Sequence, residues 1–458
     1  MTDGIYGVPL GAAAGMIFAF VMFGAFLESS KMSSLFMDLA CLLTRKSRGG
    51  PAKVAIFASA LFGTISGSAA ANVYGTGTFT IPLMKKVGYT PHFAGAVEAV
   101  ASTGGQMMPP IMGAAAFIMA DVIGVSYLTI AKAALIPSVL YYLTLLAIIH
   151  LEAVSKNMGT LPAELVPNSA YVVRRLYYLF PLVFLITILL MGRSVIACAY
   201  YGTLCIVLLS LLSAETRFTF KRFCGALELS AKNAMMVSSC CACAGIIIGV
   251  ISLTGIGYKF INVITALAGS NLLLLMAMLM ITCIILGMGV PTAPAYIIVA
   301  TLGAPALMKA GVPVIAAHMF VYFYAILSVI TPPVCLAAFA GAAIAETNAM
   351  KTGATAIKLG IVAFIIPFMF VFEPALLMQG TASEVALAFA SALVGVVGVA
   401  SGMQNWLFVR CRLWERALLL VSGFMLIFPG LVTDALGLAC LITAIVSQRL
   451  RCRSPLAA

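Results

Sequence analysis

Charged side chains are scarce in this sequence, because Asp, Glu, Lys and Arg together make up only 9% of its 458 residues. A chain with so little charge cannot cover a globular core with a water-exposed surface, which excludes the soluble globular class. The rest is dominated by hydrophobic residues, at 63% of the chain, and the mean hydropathy is +1.13. Long apolar runs recur along the whole sequence without the alternation of barrel strands. The sequence therefore predicts an all-α polytopic membrane protein.

Paired CxxC motifs and a secretory signal sequence are also missing. The twelve cysteines do not form two CxxC motifs of the kind that together bind zinc, so neither a zinc site nor a disulfide framework is indicated. We interpret the group of Cys240, Cys241 and Cys243 as small-residue helix packing. The apolar stretch from Pro9 to Phe26 lacks the basic start and small-residue exit of a signal peptide, which predicts a retained membrane helix.

The formal net charge is +12. In a membrane protein the distribution of Lys and Arg mainly reflects the orientation of the chain in the membrane. The positive charge therefore does not indicate a nucleic-acid partner, and we expect membrane lipid around the chain. The basic clusters around Arg45, Lys85, Arg174 and Arg222 predict cytoplasmic loops, whereas Lys309 is expected on the opposite side.

An unusually polar stretch, GTISGSAAAN, lies inside the apolar segment from Val54 to Met84. As one straight helix this segment would reach about 46 Å, against a hydrocarbon core of about 30 Å. Basic residues stand at both of its ends, at Lys53 and Lys85. The segment therefore predicts a re-entrant hairpin over residues 54–84. Its tip is expected to line a site, because irregular backbone at membrane depth must be surrounded by protein or a cavity.

The next apolar segment, residues 91–121, contains the sequence GGQMMPP. Its glycines weaken a helix, and its two prolines remove backbone donors. This combination predicts a broken spanning helix, with a plain proline kink as the alternative.

The same order of features recurs about 224 residues later. GMGVPTAPAY stands where GTISGSAAAN stood, and it predicts a second hairpin over residues 272–308. SVITPP then matches GGQMMPP and predicts a second broken helix over residues 314–346. Each copy closes with a helix that carries an Ile-Pro step, at Pro137 and at Pro367.

These matches divide the chain into four parts. Residues 1–150 form a first repeat, residues 151–231 a connecting transmembrane pair with an amphipathic arm, residues 232–375 a second repeat, and residues 376–458 extra C-terminal membrane helices. An odd number of crossings in each repeat predicts that the repeats have opposite topologies. Inverted repeats with discontinuous helices are typical of secondary transporters.

The helix ends at such hairpin tips predict a chemistry. Each first arm ends in unpaired carbonyl groups, which suit a small cation, and each second arm begins with unpaired N–H groups, which suit a carboxylate. The hydroxyl groups near the tips also have a simpler interpretation as helix caps alone.

Several ordered motifs resemble a known family, the large membrane subunit of tripartite ATP-independent periplasmic (TRAP) transporters. They are ASALFGTISGSAAANV, GGQMMPP, PTAPAYIIVATLGAPALMKAGV and SVITPP, and the resemblance covers about residues 5–375. It implies an elevator-type, sodium-driven importer of organic anions. Val290 stands before Pro291, where the four-carbon-dicarboxylate branch usually has an acidic residue. This departure and the apolar C-terminal extension are more similar to the TAXI branch of fused permeases.

The resemblance also implies site residues, many of them through backbone carbonyls. The first sodium site would use Ser66, Ser68, Asn72, Thr103, Gly105 and Gln106; the second would use Gly287, Thr292, Ser328 and Thr331; and the organic anion would contact Gly67, Ser68, Gly289 and Thr292. No cofactor other than the coupling sodium ions and no catalytic residue is expected.

Partners and location follow from the same resemblance. It implies a multi-pass protein of the bacterial inner membrane that receives its substrate from a TAXI-type periplasmic binding protein. A small membrane subunit is also implied, either as a separate protein or as a module missing ahead of MTDGIYGVPLG.

Two other functions stay open at this point. One is a stand-alone sodium-coupled anion symporter that needs no binding protein. The other is an intramembrane serine hydrolase with Ser66 or Ser68 as nucleophile and His92 as base. The second repeat carries GVPTAP in place of the serines, which disfavours the hydrolase.

Glu98 lies within the first predicted broken helix. An acidic residue inside a membrane is a functional candidate, so we consider a relay for a proton or sodium and, as the alternative, a position at the cytoplasmic mouth.

The C-terminal stretch from Arg416 to Arg451 has basic residues at both ends. The positive-inside rule places both ends in the cytoplasm. We therefore predict two helices that bend at Pro429 and Gly430 and pack at the periphery, away from the hairpins.

Overall fold

The computed structural model describes residues 4–427 and 430–453. Over these residues the protein is an all-α polytopic membrane protein and contains no β-strand. Five helices are long and apolar enough to cross a membrane, or up to seven if each of two bent helix pairs is one span. Most of the other helices are too short to cross, and the predicted hairpins and broken helices are built from these.

The first half runs from α1 to α8. Helix α1 (Val8–Ala12) continues through a π-helical turn into α2 (Phe18–Ser29), and α3 (Ser34–Thr44) follows. The first hairpin consists of α4 (Gly50–Ser66) and α5 (Ala69–Lys86), and the first broken helix consists of α6 (Pro91–Gly105) and α7 (Ala114–Ile123). Helix α8 (Tyr127–Ser155) closes this half, and Pro137 lies inside it without ending it.

Helices α4 and α5 lie side by side, which makes them a hairpin rather than one crossing. Ser59 Oγ and Thr76 Oγ1 are 3.0 Å apart, and Asn72 Nδ2 donates to the Ser59 carbonyl at 2.9 Å. A Cβ added at Gly75 would lie 3.1 Å from the Phe62 ring, so glycine lets the arms pack closely. The chain reverses between Ser66 and Ala69.

Helices α9 (Ser169–Arg174), α10 (Phe180–Leu190) and α11 (Val195–Ser210) connect the halves. They lead into α12 (Phe220–Thr254), a single helix of 35 residues. The boundary expected between residues 231 and 232 falls inside α12, because no proline interrupts the sequence there. The amphipathic arm and the first helix of the second half are thus one element.

The second half repeats the order of the first. Helix α13 (Ile256–Ala268) precedes a hairpin of α14 (Leu272–Gly287) and α15 (Thr292–Lys309), followed by a broken helix of α16 (Val314–Leu327) and α17 (Leu336–Ala345). The closing segment differs from α8, because α18 (Ala349–Leu359) bends by 66° into the segment that ends with α19 (Ile366–Phe372). Pro367 stands in the first turn of α19.

The two halves pack through their broken helices. A Cβ added at Gly95 of α6 would lie 2.7 Å from the carbonyl oxygen of Gly341 in α17, so the two backbones touch. Lys85 at the end of α5 donates from Nζ to the Ala345 carbonyl at the end of α17, at 3.1 Å. Each half therefore contributes helices to one shared centre.

The C-terminal helices are α20 (Ala382–Gln404), α21 (Leu413–Ile427) and α22 (Leu431–Arg453). Glu415 in α21 is fully buried and accepts hydrogen bonds from Ser447 at 2.7 Å and Arg451 at 2.5 Å, both in α22. These contacts bring the distant ends of the two helices together, so the predicted bent pair is present. Pro429, the expected bending point, lies outside the described residues. Helix α20 packs against α8, away from the hairpin tips.

The opposite orientation of the two halves in the membrane stays a prediction, and labelling tests it. Lys86 and Lys309 are both exposed and end the second arms of their hairpins. In a background without exposed cysteines, Lys86→Cys and Lys309→Cys are expected to react with an impermeant thiol reagent from opposite sides of oriented vesicles. Reaction of both variants from the same side would refute the inverted arrangement.

Candidate functional site

The first hairpin turns within two residues. Gly67 has a φ of 62°, a left-handed conformation that glycine adopts without a steric penalty. Ser68 caps α5, because its side chain accepts a hydrogen bond from the Ala71 N–H at 3.4 Å. The tip therefore presents the carbonyl end of α4 and the N–H end of α5 side by side.

Two glycines bring the first broken helix to this tip. A Cβ added at Gly63 in α4 would lie 2.5 Å from the Cα atom of Gly105 in α6, so only glycine permits this approach. Immediately after Gly105, Gln106 donates from Nε2 to the Gly67 carbonyl at 2.9 Å. The carbonyl ends of α4 and α6 thus meet.

The second hairpin has the same arrangement with different residues. Helix α14 ends at Gly287, Gly289 has a φ of 74°, and α15 begins at Thr292. Ser328, directly after α16, has its Oγ within hydrogen-bond distance of the Gly287 carbonyl, at 3.0 Å, and of the Ala325 carbonyl, at 2.8 Å. The Thr331 hydroxyl donates to the Leu327 carbonyl at 2.8 Å. A serine hydroxyl therefore holds this tip where the Gln106 amide holds the first.

Gln106 also joins the two tips. Its Oε1 accepts a hydrogen bond from the Thr292 hydroxyl at 3.0 Å, while its Nε2 is bound to the Gly67 carbonyl. Its backbone carbonyl accepts from the Tyr322 hydroxyl of α16 at 2.6 Å. The sequence placed Gln106 at the first tip only. The contact with Thr292 was not predicted, because it joins residues 186 positions apart.

A cavity of about 190 Å³ lies between the tips. Its walls include the first residues of four helices, namely Ala69 and Ala70 of α5, Ala114 of α7, Thr292 and Ala293 of α15, and Leu336 and Ala337 of α17. Gly67, Ser68 and Gln106 complete the polar part of the lining. None of the described lining residues carries a charge.

The starts of these four helices place positive dipole ends beside the cavity, although most side chains of its lining are apolar. The first N–H groups of a helix lack intrahelical partners and carry the positive end of the helix dipole. Four such ends around one small cavity favour an anion, and a carboxylate or a phosphate fits N–H donors of this kind. The carbonyl ends of α4, α6, α14 and the turn after α16 lie beside the same tips and favour a cation.

The other predicted residues lie around the two tips, most of them around the first. Asn72 is fully buried one turn into α5, with its Nδ2 2.8 Å from the position of a Cβ on Gly63. Thr103 is also buried, and its hydroxyl donates to the Ala99 carbonyl of its own helix at 2.7 Å. The Ser66 hydroxyl lies 3.4 Å from the Ser68 carbonyl. Gly289 stands at the second tip, where a Cβ would lie 3.1 Å from Val334.

A larger cavity of about 400 Å³ adjoins the first tip. It shares Gly67, Ser68 and Ala114 with the smaller one and extends to Glu28 of α2 and Asn233 of α12. The sequence did not single out Glu28 or Asn233. No nearby motif marks them, and only the packing of α12 against α2 places them here.

His92 is not part of this site. It lies at the start of α6 with its Nε2 3.4 Å from the Thr90 hydroxyl, whereas Ser66 and Ser68 lie near the other end of that helix. Fifteen helical residues separate these ends by about 20 Å. The serine–histidine pair of the hydrolase alternative is therefore not assembled.

Comparison with known proteins identifies the family of this chain. Residues 9–385 match the model of the family described as "Tripartite ATP-independent periplasmic transporter, DctM component". The chain belongs to this family. The matched residues include both hairpins and both broken helices. The DctM family consists of transport permeases and is not an enzyme family. Residues 385–438 match a separate domain of unknown function, which falls on the C-terminal helices.

Individual DctM relatives match shorter stretches. The C4-dicarboxylate TRAP transporter large permease protein DctM of Pseudomonas aeruginosa is 30% identical over 143 residues, which is 31% of this chain and 33% of the relative. The isethionate TRAP transporter permease protein DctMQ of Oleidesulfovibrio alaskensis is 35% identical over 91 residues, which is 20% of this chain and 14% of the relative. The matched stretches thus span a third or less of these two curated relatives.

Replacing Gln106 tests whether it holds the two tips of this DctM-family protein together. Gln106→Leu keeps a similar volume but removes the bonds to Gly67 and Thr292. Loss of such buried bonds costs about 1–3 kcal/mol, so amide hydrogen exchange around residues 67–71 and 292–296 is expected to speed up about tenfold or more. Gln404→Leu, at the end of α20, is the control. Faster exchange at only one tip would show that Gln106 does not link them.

Proposed function

We propose that this protein is the large permease of a sodium-coupled importer that moves a small organic carboxylate across the bacterial inner membrane. The observation that carries the proposal is the uncharged cavity between the hairpin tips, onto which the N-terminal ends of four helices open. Membership of the DctM family supplies the transport context.

The substrate carboxylate would bind to backbone N–H groups rather than to a basic side chain. The free N–H groups at the start of α5 and α15 are the donors, and the hydroxyls of Ser68 and Thr292 border the same cavity. Such donors hold an anion without the strong attraction of an arginine. This suits a transporter, because the substrate must leave as readily as it enters.

The coupling ions would bind at the carbonyl ends beside the same tips. Small hard cations prefer oxygen ligands, and carbonyl and hydroxyl oxygens dominate both places. The first sodium site would use oxygens of Ser66, Ser68, Asn72, Thr103, Gly105 and Gln106, and the second those of Gly287, Thr292, Ser328 and Thr331.

Gln106 would couple these ions to the substrate. It touches the Gly67 carbonyl at one tip and the Thr292 hydroxyl at the other, and both residues line the cavity. An ion that orders the first tip would thereby fix the position of Thr292. The two hairpins would then move through the membrane as one body, in an elevator motion.

A periplasmic binding protein of the TAXI type and a small membrane subunit would complete the system. Val290 before Pro291 and the helices α20 to α22 support this branch, and the C-terminal helices would pack at the periphery. The alternative is a stand-alone symporter, which differs in needing no binding protein.

Uptake into proteoliposomes tests the function. The purified protein is reconstituted with a small membrane subunit and a TAXI-type periplasmic binding protein, and labelled dicarboxylates, amino acids or sugar acids are supplied. Uptake is expected only with an inward sodium gradient and with the binding protein present. Equal uptake without the binding protein would favour the stand-alone symporter, and uptake without sodium would contradict the coupling.

A double variant tests the first sodium site. Ser66→Ala combined with Thr103→Ala removes two hydroxyl oxygens from the first tip and is expected to raise the sodium concentration needed for half-maximal uptake about tenfold, a loss of about 1.4 kcal/mol. The control is Thr254→Ala combined with Thr265→Ala, whose hydroxyls bind carbonyls of their own helices away from the tips. An unchanged sodium curve for well-inserted double variant would remove Ser66 and Thr103 from the site.

A further inference from the structure

Glu98 lies in the interior of α6 with a shell of hydroxyl groups. Its side chain is fully buried. Oε1 accepts from Ser59 at 2.6 Å, from Thr76 at 2.5 Å and from Ser102 at 3.3 Å, and Oε2 accepts from Thr80. Three helices, α4, α5 and α6, therefore converge on one carboxyl group in the protein interior.

Among the described residues, no basic side chain forms an ion pair with Glu98. The ionisable groups of the helices packed against α6 are otherwise engaged or exposed. Among the charged groups, Lys53 binds Ser47 and His150, Lys85 binds the Ala345 carbonyl, and Glu152 binds Lys156. The hydroxyls of Tyr141 and Tyr142 donate to the carbonyls of Val100 and Ala101, respectively. Four further lysines are exposed, namely Lys86, Lys132, Lys351 and Lys358. Helix α17 carries no ionisable side chain between Leu336 and Ala345.

Other atoms pack closely around the Glu98 side chain. Three hydroxyl oxygens are already in direct hydrogen-bond contact with the carboxyl oxygens. On the other side, a Cβ added at Gly77 would lie only 3.0 Å from Glu98 Cγ. An unpaired charge in such a place is costly, and a bound proton is the one neutralising group that needs no space.

Hydroxyl groups suit both protonation states of Glu98. A hydroxyl donates to a carboxylate and accepts from a carboxylic acid, so the same heavy-atom positions satisfy either state. The proton also has a path from water. Thr76 lines a cavity of about 430 Å³ whose walls include Glu28, Lys31 and Arg175, and walls with such polar groups hold water.

Thr76 connects Glu98 to the first hairpin tip. Its Oγ1 lies 2.5 Å from Glu98 Oε1, 2.8 Å from the Asn72 backbone carbonyl and 3.3 Å from Asn72 Oδ1, and it has one hydrogen to give. When Glu98 is ionised, Thr76 donates to it, and Asn72 Oδ1 keeps its lone pairs for a cation. When Glu98 is protonated, Thr76 can donate to one of the two Asn72 oxygens instead, the backbone carbonyl or Oδ1.

We propose that Glu98 is a reversible proton-binding site of this permease, and that release of its proton favours the sodium ion held beside Asn72. The proton site stands on the geometry of Glu98 alone. Its link to sodium rests on the function proposed above. Protons and sodium ions then compete, so this protein is a transporter that senses or carries protons.

Infrared spectroscopy tests the proton site without any transport. The difference spectrum of the purified protein between acidic and alkaline pH is expected to contain the C=O stretching band of a buried carboxylic acid, absent in Glu98→Gln and retained in the exposed-site control Glu228→Gln. Glu98→Asp keeps a carboxyl and is expected to show a shifted band. If the wild-type band is missing, or persists in Glu98→Gln, Glu98 does not bind a proton reversibly.

Thermal stabilisation by sodium tests the link. The sodium concentration that gives half of the stabilisation is measured in the acidic range where the Glu98 band grows. In wild type it is expected to rise about tenfold for each unit by which the pH is lowered, and in Glu98→Gln it is expected to be independent of pH. The same pH dependence in both proteins would overturn the link. Failure of sodium to stabilise wild type at any pH would contradict the proposed sodium coupling, while the infrared band decides the proton site separately.

Discussion

A helix that breaks inside a membrane must have its free backbone groups satisfied within the protein, because lipid offers no hydrogen bonds. In this protein four such breaks meet at one centre, and side chains next to the breaks in α6 and α16 bind backbone carbonyl groups at the hairpin tips. The carbonyl end of α4 receives the Gln106 amide, and that of α14 receives the Ser328 hydroxyl. The first residues of α5, α7, α15 and α17 line a common cavity. Each break alone would leave backbone groups without hydrogen bonds, at a cost in free energy. Together the breaks form separate candidate sites for a cation and for an anion.

Close backbone contact makes this centre possible. Gly63 against Gly105 joins the first hairpin to its broken helix, and Gly95 against Gly341 joins the two halves. A Cβ at any of these positions would push the helices apart. The halves are not copies, however. Pro137 sits within an unbroken α8, whereas the corresponding segment of the second half bends between Leu359 and Ile361.

The sequence was sufficient for the features that depend on local composition. The length of residues 54–84, with glycine and serine at their centre, predicts the hairpin, and the paired glycines and prolines predict the broken helix. It was not sufficient where contacts join distant residues. Gln106 was assigned to one tip, because nothing in its neighbourhood indicates Thr292 of the other half. Glu98 had two interpretations until the hydroxyls of α4 and α5 were seen to surround it. Helix α12 continues through the domain boundary expected near residue 231.

The central claim is that backbone N–H groups, and not a basic side chain, hold the transported anion. A structure determined by electron cryomicroscopy with sodium and the transported carboxylate tests this most directly. The account predicts carboxylate density between the tips, within hydrogen-bond distance of N–H groups in the first turns of α5 and α15 and next to Thr292. Density for the anion elsewhere, against a lysine or arginine side chain, would contradict it.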